Sequence, residues 1–334
     1  MTFRRHCEDF DVVEPSPAQV KAITVVRSTG DKVFRGIMTA GGLTSLVVLS
    51  LIAGFLLYRG FEIFSDFGFS FLTTSEWNSG IDDVGTDARM GVAAMLVGSI
   101  VIAVIAIVIA VPFAMGVALF LEYYAPKKLR NVLTALLDLI AAVPSVIYGI
   151  WGYVVLMPLV VQWSKTLNDY LGWFPLFSVP APIFERSPFV AGILLSIMIL
   201  PITTSVTREV YSRAPKDQID AAYALGGSRW GGIRTVVLPF GRSGLVGGAM
   251  LGLGRALGET IAVFLVLNLV FKVNFNILSS AGGNVASLIA TRFGEASRYE
   301  LKGLMAAGLV LFILTLIVNA IATAIVNRSA KAVA

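Results

Sequence analysis

The sequence predicts an all-α integral membrane protein with six transmembrane helices, and three observations carry that prediction. Hydrophobic residues make up 56% of the chain and charged residues only 14%, where a soluble domain carries about 25% charged residues. Mean hydropathy is +0.81. Six apolar runs, at 34–58, 90–122, 131–161, 189–207, 243–270 and 303–327, approach or exceed the roughly 20 residues a helix needs to cross a bilayer. The runs are continuous rather than alternating, which speaks against a closed β-barrel.

Each element follows from local composition. Residues 1–33 are a polar arm, a lead too long for a cleavable signal, so the first apolar run is expected to stay as an anchor. The third run contains Pro144 and Pro158 and is expected to kink or end early. The fourth contains Pro201 and is the shortest. The six-helix domain is thus expected over 34–327, with a tail at 328–334.

Placing the N-terminus in the cytoplasm puts seventeen of the 26 Lys and Arg residues on that side and eight on the other, with Arg255 inside a span. That excess predicts both termini on the cytoplasmic face. The first outer loop, 59–89, is acidic, with Glu62, Asp66, Glu76, Asp82, Asp83 and Asp87. The second, 162–188, contains GWFPLFSVPAPIF, a mix that suits either a segment lying against headgroups or a surface that docks a partner.

Several function classes fall away. The net charge of +5 is modest and gives no case for nucleic acid. One cysteine, Cys7, and one histidine, His6, exclude an internal disulfide framework and leave no Cys/His metal set. No G-x-x-x-x-G-K-[ST] is present, so no ATPase site is expected on this chain. A membrane-embedded phosphotransferase would need a nucleophile, base or metal cluster at the membrane surface, and none is visible.

The cytoplasmic loop 208–242 is the most informative stretch. Pro215 can open a helix, DQIDAAYAL continues it, and Gly226 and Gly227 end it. A second short helix is expected from Arg229 towards Val237, with Pro239 before the next span. Two short helices would form an elbow whose small side chains let another protein approach. The loop matches E-A-A-x3-G-x9-I-x-L-P at Asp220, Ala221, Ala222, Gly226, Val236, Leu238 and Pro239, with Asp for Glu and Val for Ile. In this it resembles the EAA loop of type I ABC importer permeases. The resemblance implies that Asp220, Ala221, Ala222, Leu225 and Gly226 belong to a coupling helix seated in a separate ATPase.

The fifth run carries GRALGET, from Gly254 to Thr260. Arg255 is twelve residues past Ser243, about 18 Å along a helix, which would place it near the middle of the bilayer core. A charge at that depth normally faces a partner or a watery path. Glu259 follows four residues later and is expected on the same face. Gly248, Gly252, Gly254 and Gly258 give two small-x3-small patterns suited to close helix packing or a channel wall. The pair either locks helices by mutual neutralisation or relays an anion, for which an Arg fork suits phosphate oxygens. Thr203, Thr204 and Ser205 either satisfy backbone groups freed by Pro201 or line the pathway. Asp138 either pairs with an Arg of a partner or satisfies local backbone. Ser145 and Tyr148 are expected to pack.

LGLGRALGETIAV, AAVPSVIYGIWG and LPITTSVTREVY together resemble the PstC type of phosphate ABC importer permease, over about residues 34–327. The resemblance implies a type I ABC importer permease fold and an alternating-access mechanism. It implies a homologous PstA-like second permease, a PstB-like ATPase dimer carrying ATP and Mg, and a PstS-like extracytoplasmic phosphate-binding protein. It also implies a bacterial cytoplasmic membrane, with membrane lipids around the spans, and a substrate pathway using Arg255, Glu259, Thr204 and Asp138. This chain would bind no cofactor itself. An ion-gradient-driven anion transporter, or an ABC permease for another oxyanion, are the competing readings.

Overall fold

A computed structural model describes residues 28–80 and 87–331, with side chains described as far as Ile325. The arm up to Arg27, with His6 and Cys7, and the pair Asp82 and Asp83 lie outside the described residues. Among the described residues, six helices are long and apolar enough to cross a membrane: Thr29–Phe67, Ala93–Tyr124, Ser145–Leu171, Pro188–Ser212, Arg229–Gly258 and Arg298–Ile325. The chain divides into two units, the first ending at Leu51 and the second beginning at Ile52. In the first, every described side chain is exposed, including Phe34, Leu46 and Leu51. A helix this apolar with no cover of its own needs lipid or another protein around it.

Helix α1 (Thr29–Phe67) runs beyond the expected boundary at residue 58, so Glu62 and Asp66 are helical. A short α2 (Ser70–Thr73) follows, and a two-residue ribbon pairs β1 (Trp77–Asn78) with β2 (Arg89–Met90), antiparallel with Trp77 opposite Met90. The second span is α3 (Ala93–Leu119), widened to one π turn over Phe120–Tyr124.

The third predicted span is divided. Helix α4 (Lys127–Ala142) ends where Val143 and Pro144 are extended, and α5 (Ser145–Trp151) begins after them. The Pro144 ring disfavours helical geometry at Val143. No residue of α4 is buried. Lys127, Arg130, Asn131, Thr134 and Asp138 recur at helical spacing along it, so α4 is an amphipathic helix rather than the first half of a crossing. The crossing helix runs from α5 through a π turn at Gly152–Leu156 into α6 (Met157–Leu171).

A third π turn covers Ile233–Val237. Each of the three ends two residues before a proline: Pro126, Pro158 and Pro239. Proline lacks a donor and its ring crowds the carbonyl four residues back. A widened turn re-routes those bonds, which is how the helices continue through Pro158 and Pro239. The elbow's second helix therefore does not stop before Pro239. It begins as α9 (Arg229–Gly232) and passes into α10 (Leu238–Gly258) as one rod of 30 residues.

The centre of the fold is α7 (Pro188–Ser212), packed between α3 and α10. On α3, Ala103, Ala106, Ala110, Ala114 and Ala118 are buried one above another, a smooth stripe that lets the backbones approach. On α10, the β-positions of Gly241, Gly244, Gly248 and Gly252 abut Tyr211, Val210, Thr207 and Ile199 in turn. Thr203 Oγ1 donates to the Gly248 carbonyl at 3.3 Å, so this hydroxyl bridges two helices instead of repairing its own around Pro201. The remaining elements are α8 (Lys216–Ala224) in the elbow, α11 (Ile261–Val266), α12 (Val285–Arg292) and α13 (Arg298–Lys331).

Candidate functional site

The elbow is built from a few anchors beneath an exposed tip. Ile219 of α8 is buried with Tyr211, Ala214, Ile233 and Val237, and Ala118 and Leu119 of α3 complete the cluster. Helix α8 closes in a Schellman motif. The Gly226 N–H donates to the Tyr223 carbonyl at 2.9 Å and the Gly227 N–H to the Ala222 carbonyl at 3.0 Å, with Gly226 at φ +85°. That left-handed angle suits Gly, and Asn next. Ser228 then caps α9, its Oγ accepting from the Gly231 N–H at 3.2 Å. Of the predicted coupling residues, Asp220 and Ala221 are exposed and Ala222 is half-buried. Leu225, which caps α8, is 90% exposed, and Trp230 across the turn is also exposed.

The backbone angle at Gly226 leads to a clean test. A β-carbon there meets nothing within 4 Å, so any defect comes from conformation rather than crowding. Gly226→Val is expected to destabilise the elbow by about 1–2 kcal/mol, while Gly226→Asn stays close to wild type. Thermal unfolding of the purified chain reads the difference, and equal losses in both variants would refute the conformational account.

The fifth span departs from expectation at its far end. Helix α10 stops at Gly258, Glu259 is extended, and α11 starts after Thr260. Thr260 Oγ1 donates to the Gly258 carbonyl at 3.1 Å, satisfying one carbonyl freed by the break. Glu259 is 8% exposed, and its Oε1 accepts from the Ala262 N–H at 3.4 Å. Asn284 Nδ2 donates to the Glu259 carbonyl at 2.7 Å. Asn284 also caps α12, its Oδ1 accepting from the Ser287 N–H at 2.7 Å. The Val285 N–H donates to Ser99 Oγ of α3 at 3.1 Å, and a β-carbon on Gly98 would overlap the Gly283 carbonyl oxygen. The start of α3, the break and the start of α12 are therefore tied into one buried polar knot.

This corrects the expected Arg255–Glu259 pair. The break takes Glu259 off the helix face that carries Arg255, and neither residue is in an ion pair among the described residues. Arg255 is half-buried in the last turn of α10, where a cation also suits the helix dipole. It is not at mid-helix, because the rod begins at Arg229 rather than near Ser243. In α5, the Tyr148 hydroxyl donates to the Ile140 carbonyl at 2.7 Å. The glycine patterns separate as well. Gly248 and Gly252 pack on α7, whereas the β-positions of Gly247, Gly254 and Gly258 meet nothing within 4 Å. Leu251 between them is 58% exposed. Residues 247, 251, 254 and 258 lie on one helical face, so α10 shows one glycine face to α7 and an open one beside Arg255.

The other predicted pathway residues lie elsewhere. Thr204 is fully buried, and its hydroxyl, like that of Thr207, has no hydrogen-bond partner among the described residues. It lines no open path in this conformation. Asp138 is exposed on α4 and faces a cavity of about 310 Å³ lined with Arg130, Asn131, Thr134 and Arg208. Arg208 donates to Thr134 Oγ1, and Arg130 pairs with Glu122 at 2.6 Å. Arg208 and Asn284 were missed at the level of sequence. An Asn directly after two glycines and three residues before a Ser, as in GGNVAS, was the available signal for the second.

Asn284 yields a further prediction. Asn284→Ala removes the donor to Glu259 and the cap of α12 together, and is expected to cost about 1–3 kcal/mol. Asn284→Ser keeps a hydroxyl acceptor for the cap and loses the donor to Glu259, so it should fall between. Thermal unfolding of the full chain in detergent reads both, and a wild-type Tm for Asn284→Ala would remove the knot's structural role.

A six-helix membrane protein with an anchored elbow and a broken, glycine-lined fifth helix has the fold of ABC importer permeases. Solved structures share it: a bacterial alginate ABC transporter with its pentasaccharide-bound periplasmic protein matches at TM-score 0.55 and 15% identity, covering 90% of this chain and 98% of that one. An inward-facing methionine ABC transporter, MetNI, matches at TM-score 0.50 and 19% identity, over 72% and 94%. The chain belongs to the family described as binding-protein-dependent transport system inner membrane component, whose model matches residues 110–333. Among its relatives, the phosphate transport system permease protein PstC 2 of Mycobacterium tuberculosis is 40% identical, covering 94% of this chain and 98% of the relative. PstC of Pasteurella multocida is 36% identical, over 85% and 88%.

Proposed function

We propose that this chain is a permease subunit of an ATP-driven importer of inorganic phosphate. The observation that carries the reading is the likeness to the PstC relatives along nearly the whole length. The residues with chemistry to perform fit it. Leu225 and Trp230 form an apolar tip on a rigid elbow, suited to a pocket in an ATPase dimer that binds ATP and Mg. The open face of α10 beside Arg255 suits a second, homologous permease, and the two would line the pathway together. An extracytoplasmic binding protein would deliver the anion to the far side. The Lys and Arg excess supports an orientation with the elbow and both termini in the cytoplasm.

In this reading ATP binding closes the ATPase pair and moves the elbow. Because the elbow's second helix, α9, and α10 form one 30-residue rod, about 45 Å long, that movement is transmitted to Arg255 at its other end. Arg255 holds the anion by charge and a two-pronged donor set, and hydrolysis resets the rod.

The test is uptake into proteoliposomes containing this chain with its partner permease, ATPase and binding protein. Uptake of phosphate that requires ATP and the binding protein, and that sulfate does not share, is the expected result. Uptake of sulfate instead would reassign the anion. Uptake driven by an ion gradient without ATP would replace the importer with a secondary transporter.

A further inference from the structure

A second cation is held at the far end of the open face that begins beside Arg255. Arg186 directly precedes Ser187, the N-cap of α7, so it stands at the opposite end of α7 from the elbow. Its backbone is left-handed, at φ +50°, a region that residues other than glycine seldom enter and one that recurs at functional sites. Its Nη1 donates to Asn268 Oδ1 at 2.8 Å, two residues past the end of α11. Its guanidinium carbon lies 5.0 Å from the centre of the Tyr153 ring.

Both holders are neutral. No carboxylate pairs with Arg186 among the described residues, and the adjacent Glu185 is exposed and in no ion pair there either. A guanidinium has five donors, and among the described residues one of them is committed. An aromatic ring holds a guanidinium without cancelling its charge. Arg186 is therefore fixed in place while it keeps a full positive charge and donors to offer.

The surface between the two arginines is continuous. Leu251, Gly254, Gly258, Ile261, Phe264 and Asn268 are all exposed, at spacings of three and four on both sides of the break. The open face of α10 thus carries on along α11 as far as Asn268. Helix α11 has six residues, about 9 Å of rise. Across residues 251–268 Glu259 is the one carboxylate, and it is buried with its Oε1 capping α11. An anion on this face would meet a cation at each end and no exposed carboxylate between.

Resting on the importer reading, we propose that Arg186 is an outer anion station, which receives phosphate at the end of the face away from the elbow and passes it towards Arg255. A conduit works through several sites that each bind weakly enough to let go, and a cation held by neutral groups is suited to that. Two measurements test the station. First, the wild-type chain in nanodiscs is treated with phenylglyoxal, which modifies arginine, in inorganic phosphate or in chloride at matched ionic strength. Peptide mass spectrometry is expected to show phosphate slowing modification of Arg186 but not of Arg229, which is exposed in the elbow. Second, uptake is compared in the reconstituted importer. Arg186→Gln keeps a donor for Asn268 and loses the charge, and initial uptake at limiting phosphate is expected to fall about tenfold. Arg186→Lys restores the charge and should recover most of that loss. A tether between α7 and α11 would make no such distinction, so equal losses in the two variants overturn the proposal. Wild-type uptake in Arg186→Gln, or no protection of Arg186 by phosphate, does the same and leaves the importer reading intact. Protection of Arg186 in a wild-type chain that imports no phosphate would keep the anion site and remove the importer reading. The protection measurement needs no variant and stands even if Arg186→Gln folds poorly.

Discussion

Leu225→Asp is expected to release the ATPase from this chain while leaving the chain folded. The side chain is 90% exposed at the cap of α8 and makes no contribution to the cluster of Ile219, Tyr211 and Ile233 that anchors the elbow. In the proposed reading this exposed leucine seats in a pocket of the ATPase, and an anchor buried there is expected to contribute about 2 kcal/mol, roughly thirtyfold in affinity. Burying a carboxylate in that pocket adds a desolvation cost. Co-purification with the ATPase and transport-stimulated hydrolysis should both fall, with the chain's own Tm unchanged. Persistence of both activities at wild-type level would disqualify the elbow as the coupling element.

Arg255→Ala is expected to abolish uptake without loss of assembly. The guanidinium is half-buried beside the open glycine face, and loss of a desolvated charge contact costs about 2–5 kcal/mol, at least about thirtyfold in rate or affinity. Arg255→Lys should recover little, because an ammonium keeps the charge and loses the fork. The broken helix adds a sharper test. Glu259 caps α11 through its Oε1 rather than pairing with Arg255. Glu259→Gln retains a carbonyl acceptor, so uptake should drop only slightly, and adding Glu259→Gln to Arg255→Ala should not restore it. Restored uptake in the double variant would show that the two charges neutralise each other after all, and that the break is not their working geometry.

Sequence alone determined the class of this protein. Its uncharged runs are long enough to leave no stable place but lipid, and hydropathy is a local property that folding does not alter. The elbow was equally legible, because its requirements are local too: a proline to open a helix, a left-handed glycine at 226 to close it, and small residues between. The identity of Arg255 as an unusual charge in an apolar segment was visible for the same reason.

What the tertiary structure decided was where those segments bend and which faces they share. The apolar content of 131–161 reads the same whether the helix crosses in one piece or breaks at Pro144, and only the packing separates α4 from the span. A spacing of four places Arg255 and Glu259 together only if the helix continues. It stops at Gly258 because Asn284, 25 residues away, satisfies the Glu259 carbonyl, a bond between distant residues that no local pattern encodes. The two glycine series of α10 are alike in sequence, yet one is filled by α7 and the other stands open. Burial is a property of what a face meets, and the chain's path in space settles that.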